Sequence, residues 1–153
     1  MTLGEPPAAA STPDPAAGRL DRTRATIAVG PLLAPVLARL VGMHAARAGL
    51  TVDRLDDAVL ITDALADCAA DALGASHLEL SIQSAPGRIE LRVGPLRPGA
   101  AQRLVDGTAL PDTGPLMGLL ADEVRVRVGA GGDEILLLRV DAQPSGPELA
   151  SAG

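Results

Sequence analysis

The chain has 153 residues, of which 47% are hydrophobic and none is Phe, Tyr or Trp, and its formal net charge is −6. The length is typical of one domain, and the hydrophobic fraction excludes a chain that is disordered throughout. Without aromatic residues, recognition of nucleic acid by base stacking is excluded. The 13 basic residues, all arginine, face 19 acidic ones, which argues against direct binding to nucleic acid or to anionic membranes. The absence of lysine excludes Schiff-base chemistry and a P-loop.

Segments rich in proline, alanine and glycine stand at both ends of the chain. Residues 1–23 and 141–153 carry few large apolar side chains, a composition typical of disorder. We therefore expect one folded domain over residues 24–140. No apolar stretch reaches the length of a membrane span, and the N-terminus lacks the basic and apolar regions of a signal peptide. These features predict a cytoplasmic protein.

A short strand and two helices are expected in the first half of the domain. Residues 26–29 favour a strand, which ends at a Gly-Pro pair, and a helix follows from Pro31 to Gly49. Six residues share one face of this helix: Leu33, Val36, Leu37, Leu40, Val41 and His44. Asp53 is expected to cap a second helix that ends at Gly74. Its apolar face carries Ala58, Ile61, Leu65, Ala69 and Ala72.

The hydrophobic period then changes from about 3.6 to 2, which predicts strands. Expected strands cover residues 77–83, 89–93, 124–128 and 134–140, with a helical turn at 100–105 and a short helix at 116–121. Pro-Gly and Gly-rich turns predict two β-hairpins, and the apolar last strand is expected in the sheet interior. The whole predicts an α/β (α+β) two-layer sandwich: a mixed, largely antiparallel sheet with helices on one face.

The element order and two local sequences resemble the histidine-kinase-like (GHKL, Bergerat-fold) ATPase domain. Residues 55–64 read LDDAVLITDA, where the family has an acidic start, an apolar stretch and then Glu-Ala, followed three residues later by Asn. Residues 119–124, LLADEV, are similar to the family's helix end that leads into its penultimate strand. The likeness is to the free-standing anti-sigma factor serine kinases and their relatives in actinobacterial regulation. It covers roughly residues 25–140.

The resemblance implies a catalytic and metal-binding pair on the second helix. In the family, the Glu is a general base and the Asn holds Mg²⁺; Asp63 and Asp67 occupy these positions here. A spacing of four residues puts both carboxylates on one helix face. Asp67 is an oxygen ligand of the kind that Mg²⁺ prefers. Asp63 is one methylene shorter than the family's Glu.

The resemblance also implies nucleotide contacts at three glycines. The family's Asp-x-Gly-x-Gly segment reads adenine through its Asp, and Gly94 stands at that position, followed by Gly99. Gly114 is what remains of the family's Gly-x-Gly-Leu lid segment. Gly94 and Gly99 have two open interpretations, contacts to phosphate or ordinary loop glycines.

The function that the resemblance implies is partner switching in transcription control. An ATP- and Mg²⁺-dependent serine/threonine protein kinase of this type binds a sigma factor or an anti-anti-sigma (STAS-type) protein and phosphorylates the latter, and a homodimer is also expected. The alternative is a degenerate relative that binds no nucleotide and serves only as a protein-interaction module. We place the binding role ahead of the kinase role, since fold likeness alone does not carry activity.

The remaining polar residues have plain structural interpretations. His44 lies on an apolar helix face, which indicates a hydrogen-bonded core histidine rather than a base. Cys68 fits a small core filler, and His77 begins a strand on its polar side. The two His and one Cys are too widely spaced for a zinc site. The acidic stripe of Asp56, Asp63, Asp67 and Asp71 is either a solvated surface or, because Leu60 interrupts it, a binding surface.

Overall fold

A five-stranded sheet and a layer of helices form the structure, a computed structural model that describes residues 20–143. The predictions of disorder for residues 1–19 and 144–153 lie outside the described residues. The first strand begins at Asp21 and the last ends at Asp141. The folded domain therefore extends slightly beyond the expected 24–140, and residues 21–23 belong to the sheet rather than to a lead segment.

The elements follow the predicted order, with one addition. They are β1 (Asp21–Ala28), α1 (Leu33–Arg47), α2 (Val52–Leu73), β2 (His77–Ala85), β3 (Arg88–Leu96), α3 (Ala100–Gly107), β4 (Ala109–Leu110), β5 (Gly114–Pro115), α4 (Leu116–Leu120), β6 (Glu123–Val128) and β7 (Glu134–Asp141). The addition is the small hairpin of β4 and β5, whose two-residue strands have too few residues to show a period.

The main sheet has the strand order β1-β2-β3-β7-β6, and every neighbouring pair is antiparallel. The predicted two-layer α/β sandwich is confirmed. The sheet, predicted as mixed and largely antiparallel, is antiparallel throughout. The predicted hairpins β2–β3 and β6–β7 are confirmed, and β7 is an interior strand as expected. The helices pack on one face of the sheet, and within residues 20–143 no helix covers the other.

The core lies between the helices and the inner face of the sheet. All five expected apolar residues of α2 are buried, and so are the inward-facing Leu78, Leu80 and Ile82 of β2. On α1 the stripe is buried at Leu33, Leu37, Val41 and His44, whereas Val36 is exposed. Val36 lies at the margin of the apolar stripe, so the prediction for this residue is wrong.

Two predicted element starts differ from the structure. Thr51, not Asp53, caps α2: its hydroxyl accepts a hydrogen bond from the Arg54 amide at 3.4 Å, while Asp53 lies in the first turn. Strand β1 is twice as long as predicted. Its first inward residues, Asp21 and Thr23, are polar and have partners on α1, so an apolar period could not reveal them.

None of the helices described between residues 20 and 143 combines the length and hydrophobicity that crossing a membrane requires. The longest, α2, has 22 residues but carries a row of aspartates along one side.

Candidate functional site

The predicted catalytic and metal residues lie on α2, toward its C-terminal half. Asp63 is half-buried, and Asp67 is exposed one turn further along. Asp67 lines a cleft of about 370 Å³ between α2 and α3, together with Cys68, Asp71, Ala72, Arg103 and Gly107. This cleft, which we call the α2–α3 cleft, is where the resemblance would place the metal and phosphate chemistry.

Arg103 is the cationic group of the α2–α3 cleft, but it is directed to the backbone. Its Nε donates to the carbonyl oxygen of Ala72 at 3.2 Å, near the C-terminus of α2. A cation is favourable there because the last carbonyls of a helix carry partial negative charge. Among the described ion pairs, none joins Arg103 to Asp67 or Asp71 within 4 Å.

Cys68 is a free, half-buried thiol at the close contact of α2 with α3. A Cβ atom placed on Gly107 would lie 2.9 Å from its Sγ, so only a glycine allows this approach. Burial raises the pKa of the Cys68 thiol, and the charges of Asp67 and Asp71 raise it further. The neutral thiol is the weaker nucleophile, and Cys68 therefore serves packing better than reaction.

The N-terminus of α3 holds Gly99, the predicted phosphate contact, in the left-handed region at φ 81°. The amide of Gly99 donates to Glu134 Oε1 at 2.8 Å, and that of Ala101 donates to Glu134 Oε2 at 3.0 Å. The Ala100 amide donates to the Arg97 carbonyl at 3.0 Å. Helix N-termini attract anions through such amides. Here the protein's own carboxylate, from β7, already occupies that position.

Gly94 lies near the end of β3, on the open face of the sheet. Its φ is 133°, and a Cβ atom there would lie 2.7 Å from the carbonyl oxygen of Glu134. Both observations require glycine, so an aspartate in the family's adenine-reading position could not be accommodated. Gly94 shares a depression with Arg24, Ser81 and Arg92 on the face opposite the helices.

The predicted site residues lie on or beside four different elements. Gly114, at φ 90°, begins β5 in the small hairpin, Gly99 begins α3, and Gly94 lies across the sheet from Asp63 and Asp67 on α2. Of these five residues, Asp67 alone lines the α2–α3 cleft.

Sequence reasoning missed the buried arginine that holds the other end of α2. Arg54 is 8% exposed, and its guanidinium donates to Asp57 at 2.7 Å, to the Asp141 carbonyl at 2.9 Å and to the buried carboxylate of Asp122. Asp122 also accepts from the Asp141 amide at 2.8 Å. The signal was present, since Arg54 precedes Ala58, Ile61 and Leu65 on one helix face.

His44 is the buried, hydrogen-bonded histidine that the sequence predicted. Its Nδ1 lies 3.0 Å from Ser84 Oγ and its Nε2 lies 2.8 Å from Thr23 Oγ1. Burial lowers the pKa of His44, and Arg47 adds to this, while Asp21 acts in the opposite direction. Through these two hydrogen bonds His44 joins α1 to β1 and β2.

Across residues 20–143 no three His, Cys, Asp or Glu side chains form a group that could hold a metal ion. No protein-family model matches the chain, and no curated protein matches it.

Proposed function

We propose that this protein is a regulatory protein-interaction module of the partner-switching type, and that it binds its partner without ATP. The partner class, a sigma factor or an anti-anti-sigma (STAS-type) protein in the cytoplasm, comes from the resemblance of residues 25–140 to the anti-sigma factor serine kinases. The class of partner is inferred from the resemblance alone. The proposal that no nucleotide binds is inferred from the geometry around Glu134.

Two contacts of one residue, Glu134, oppose the binding of a nucleotide. Its carboxylate accepts from the Gly99 and Ala101 amides, where a phosphate would be expected. Its backbone carbonyl leaves no space for a side chain at residue 94, where the family reads adenine. A nucleotide would have to displace a charged, doubly hydrogen-bonded group and still lack its base contact.

A calorimetric titration of the full chain with MgATP tests the nucleotide part. We expect no saturable heat up to millimolar ATP. Asp67→Ala is the matched variant, because it removes the carboxylate in the predicted Mg²⁺ position from an exposed site. Saturable binding by the natural chain that disappears in Asp67→Ala would contradict the proposal.

The partner part is tested with purified sigma factors and STAS-type proteins encoded in the same genome. We expect one of them to form a complex with the full chain in buffer that contains no nucleotide. If every pair elutes separately from a sizing column at micromolar concentration, the partner assignment is wrong.

A second candidate function, the ATP-dependent kinase, is favoured by the α2–α3 cleft. There Asp67, Asp71 and Arg103 place two carboxylates and a guanidinium around one opening, with Asp63 a turn away. In this reading Asp67 would bind Mg²⁺ and Asp63 would accept the proton of the attacking serine hydroxyl. Mass spectrometry of a STAS-type protein incubated with the chain and MgATP tests it. A phosphoserine that is lost in Asp63→Asn would establish the kinase and overturn the first proposal.

A further inference from the structure

The face of the sheet that carries no helix, which we call the open face, concentrates the positive charge of the protein. Seven of the 13 arginines point to it from the five strands, against four acidic residues, which gives a net charge of +3 in a chain of net charge −6. The arginines are Arg22, Arg24, Arg88, Arg92, Arg125, Arg127 and Arg139, and the acidic residues are Glu79, Glu90, Glu123 and Asp141.

The strand register arranges this charge in rows across the sheet. The central row reads Arg24, Ser81, Arg92, Leu137, Arg125, one residue from each strand. It carries three positive charges and no negative one. The row on one side is neutral overall, with Arg22, Gln83, Glu90, Arg139 and Glu123. Because neighbouring strands lie about 4.8 Å apart, the arginines of the central row follow one another at roughly 10 Å.

The arginines of the open face differ in whether their guanidinium groups have a partner within the chain. Arg92 donates to Glu90 at 2.8 Å, and Arg125 pairs with Glu123, which also pairs with Arg139. Within the part of the chain that the structure describes, Arg24 has no hydrogen-bonding or ionic partner. In the central row, Arg92 and Arg125 are therefore held in place by neighbouring carboxylates, whereas Arg24 is unpaired among the described residues.

The surface around the central row is concave and partly apolar. A depression of about 380 Å³ lies between Arg24 and Arg92, with Ser81 and Gly94 in its lining. Gly94 and Ser81 are small, which leaves the space above them open. Ile135, 37% exposed, borders the same depression.

We propose that the open face is a docking surface for an acidic segment of a protein partner, whose carboxylates meet Arg24, Arg92 and Arg125. A guanidinium binds a carboxylate through two parallel hydrogen bonds, and it is less strongly hydrated than an ammonium. Three arginines at about 10 Å cannot meet on one small anion, so the occupant must carry several separated charges.

Charge and composition favour an acidic protein segment over nucleic acid. A polynucleotide would feel the negative charge of the rest of the chain, and the protein has no aromatic side chain on which a base could stack. Ile135 offers apolar contact that a peptide side chain can use and a phosphate backbone cannot.

This inference goes beyond the proposed function, because it depends on the sheet and not on Glu134 or the α2–α3 cleft. The two can fail separately. Binding of MgATP would overturn the first and leave the open face unaffected, whereas loss of the docking surface would leave the nucleotide question as it stands.

Fluorescence anisotropy with a labelled polyglutamate peptide tests the docking surface. The peptide has about 15 residues, and because its like charges repel one another it is an extended chain that can reach across the roughly 19 Å between the outer strands. We expect saturable binding that weakens as salt is added, because exposed charges are screened. The double substitution Arg24→Gln and Arg125→Gln should weaken it about two- to fivefold for each arginine removed.

The matched control removes two exposed arginines elsewhere, Arg39→Gln with Arg97→Gln, and so changes the net charge equally. We expect this control to bind nearly as well as the natural chain. Equal losses in both double variants would show a nonspecific charge effect and overturn the proposal.

Two further outcomes would also overturn it. One is tighter binding of a single-stranded DNA oligonucleotide of equal charge, lost with the same two arginines, which would make the open face a nucleic-acid surface. The other is a concentration-dependent dimer in sedimentation that the open-face double variant abolishes, which would make it a self-association surface. Circular dichroism of each variant confirms that the fold is retained.

Discussion

The helix-covered face and the open face of the sheet use their arginines in different ways. On the covered side, Arg54 is buried with two carboxylates and two backbone carbonyls, and Arg103 donates to a helix terminus. On the open side, Arg24 and Arg127 have no partner among the described residues, and the other five arginines bond to polar side chains on the same face of the sheet. A buried, fully paired guanidinium holds the fold together, whereas an unpaired guanidinium, or one in an exposed and therefore weak ion pair, can still bind a carboxylate of another molecule.

The same contrast separates the two places where a ligand could bind. At α3, the anion position is filled by the carboxylate of Glu134, so a phosphate would compete with an internal group. Above Ser81, no carboxylate of the described chain bonds to Arg24. We therefore expect the covered side to determine stability and the open face to determine binding.

Removing one arginine from each side gives the sharpest contrast in stability. Arg54→Ala should lower the free energy of unfolding by about 3–5 kcal/mol, because it leaves the buried Asp122 carboxylate without its guanidinium. Arg127→Ala, on the exposed edge strand β6, should change it by less than about 0.5 kcal/mol. Urea unfolding measures both. Equal effects would show that the arginines of the two sides do not differ in their contribution to stability.

The contact of α3 with α2 gives the next largest effect. Gly107→Ala should destabilise the protein by about 1–3 kcal/mol, because the new Cβ would lie 2.9 Å from Cys68 Sγ. Combining it with Cys68→Ala should recover part of that loss in a double-mutant cycle.

Gly42 provides the control for this pair. It lies in α1, and beyond its own helix neighbours no atom lies within 4 Å of a Cβ at its position, so Gly42→Ala should stabilise the helix by about 0.5–1 kcal/mol. A loss of stability in Gly107→Ala that Cys68→Ala does not relieve would exclude the proposed steric cause.

The fold was predictable wherever one face of an element is uniformly apolar. The buried stripe of α2 and the alternation in β2 indicated those elements directly, and the Pro-Gly turn indicated the hairpin between β2 and β3. β1 was underestimated because Asp21 and Thr23 face inward, and their partners on α1 are distant in the sequence.

The candidate site was less predictable, because its main determinants are contacts between distant residues. Glu134 lies 35 residues from Gly99, and nothing in either local sequence indicates that the carboxylate caps α3. The rows of the open face depend on how five strands pair. The alternation of residues within a single strand does not predict that pairing. Arg54 did show a local signal, since it occupies an apolar helix face.

The Glu134 cap has a smaller expected effect on stability than the two contacts above. Glu134→Ala removes both acceptors at the start of α3 and should cost about 1 kcal/mol, with faster hydrogen exchange at the Ala101 amide. Glu134→Gln keeps one acceptor oxygen and should cost less. Unchanged exchange at Ala101 in the alanine variant would be incompatible with this cap.

The pH dependence of stability tests the buried histidine. Burial lowers the pKa of His44 in the folded chain, so the stability that neutral His44 contributes is fully present above pH 6.5, the pKa of the unfolded chain. As the pH falls below 6.5, the unfolded chain takes up a proton that the folded chain does not, and stability declines by at most about 1.4 kcal/mol per pH unit.

Urea unfolding between pH 5 and 8 measures this decline, and His44→Gln should flatten it. His77→Gln, at an exposed position, should leave it unchanged. A natural chain that is equally stable from pH 5 to pH 8 would argue against a buried neutral His44.

NMR shows directly whether the carboxylate of Glu134 occupies the anion position of α3. The amide signals of Gly99 and Ala101 are followed during a titration of the full chain with MgATP. Because Glu134 already accepts from both amides, we expect both signals to stay in place up to millimolar nucleotide. Saturable shifts at both amides, with Asp67 shifting in parallel, would contradict it and establish a nucleotide site at the start of α3.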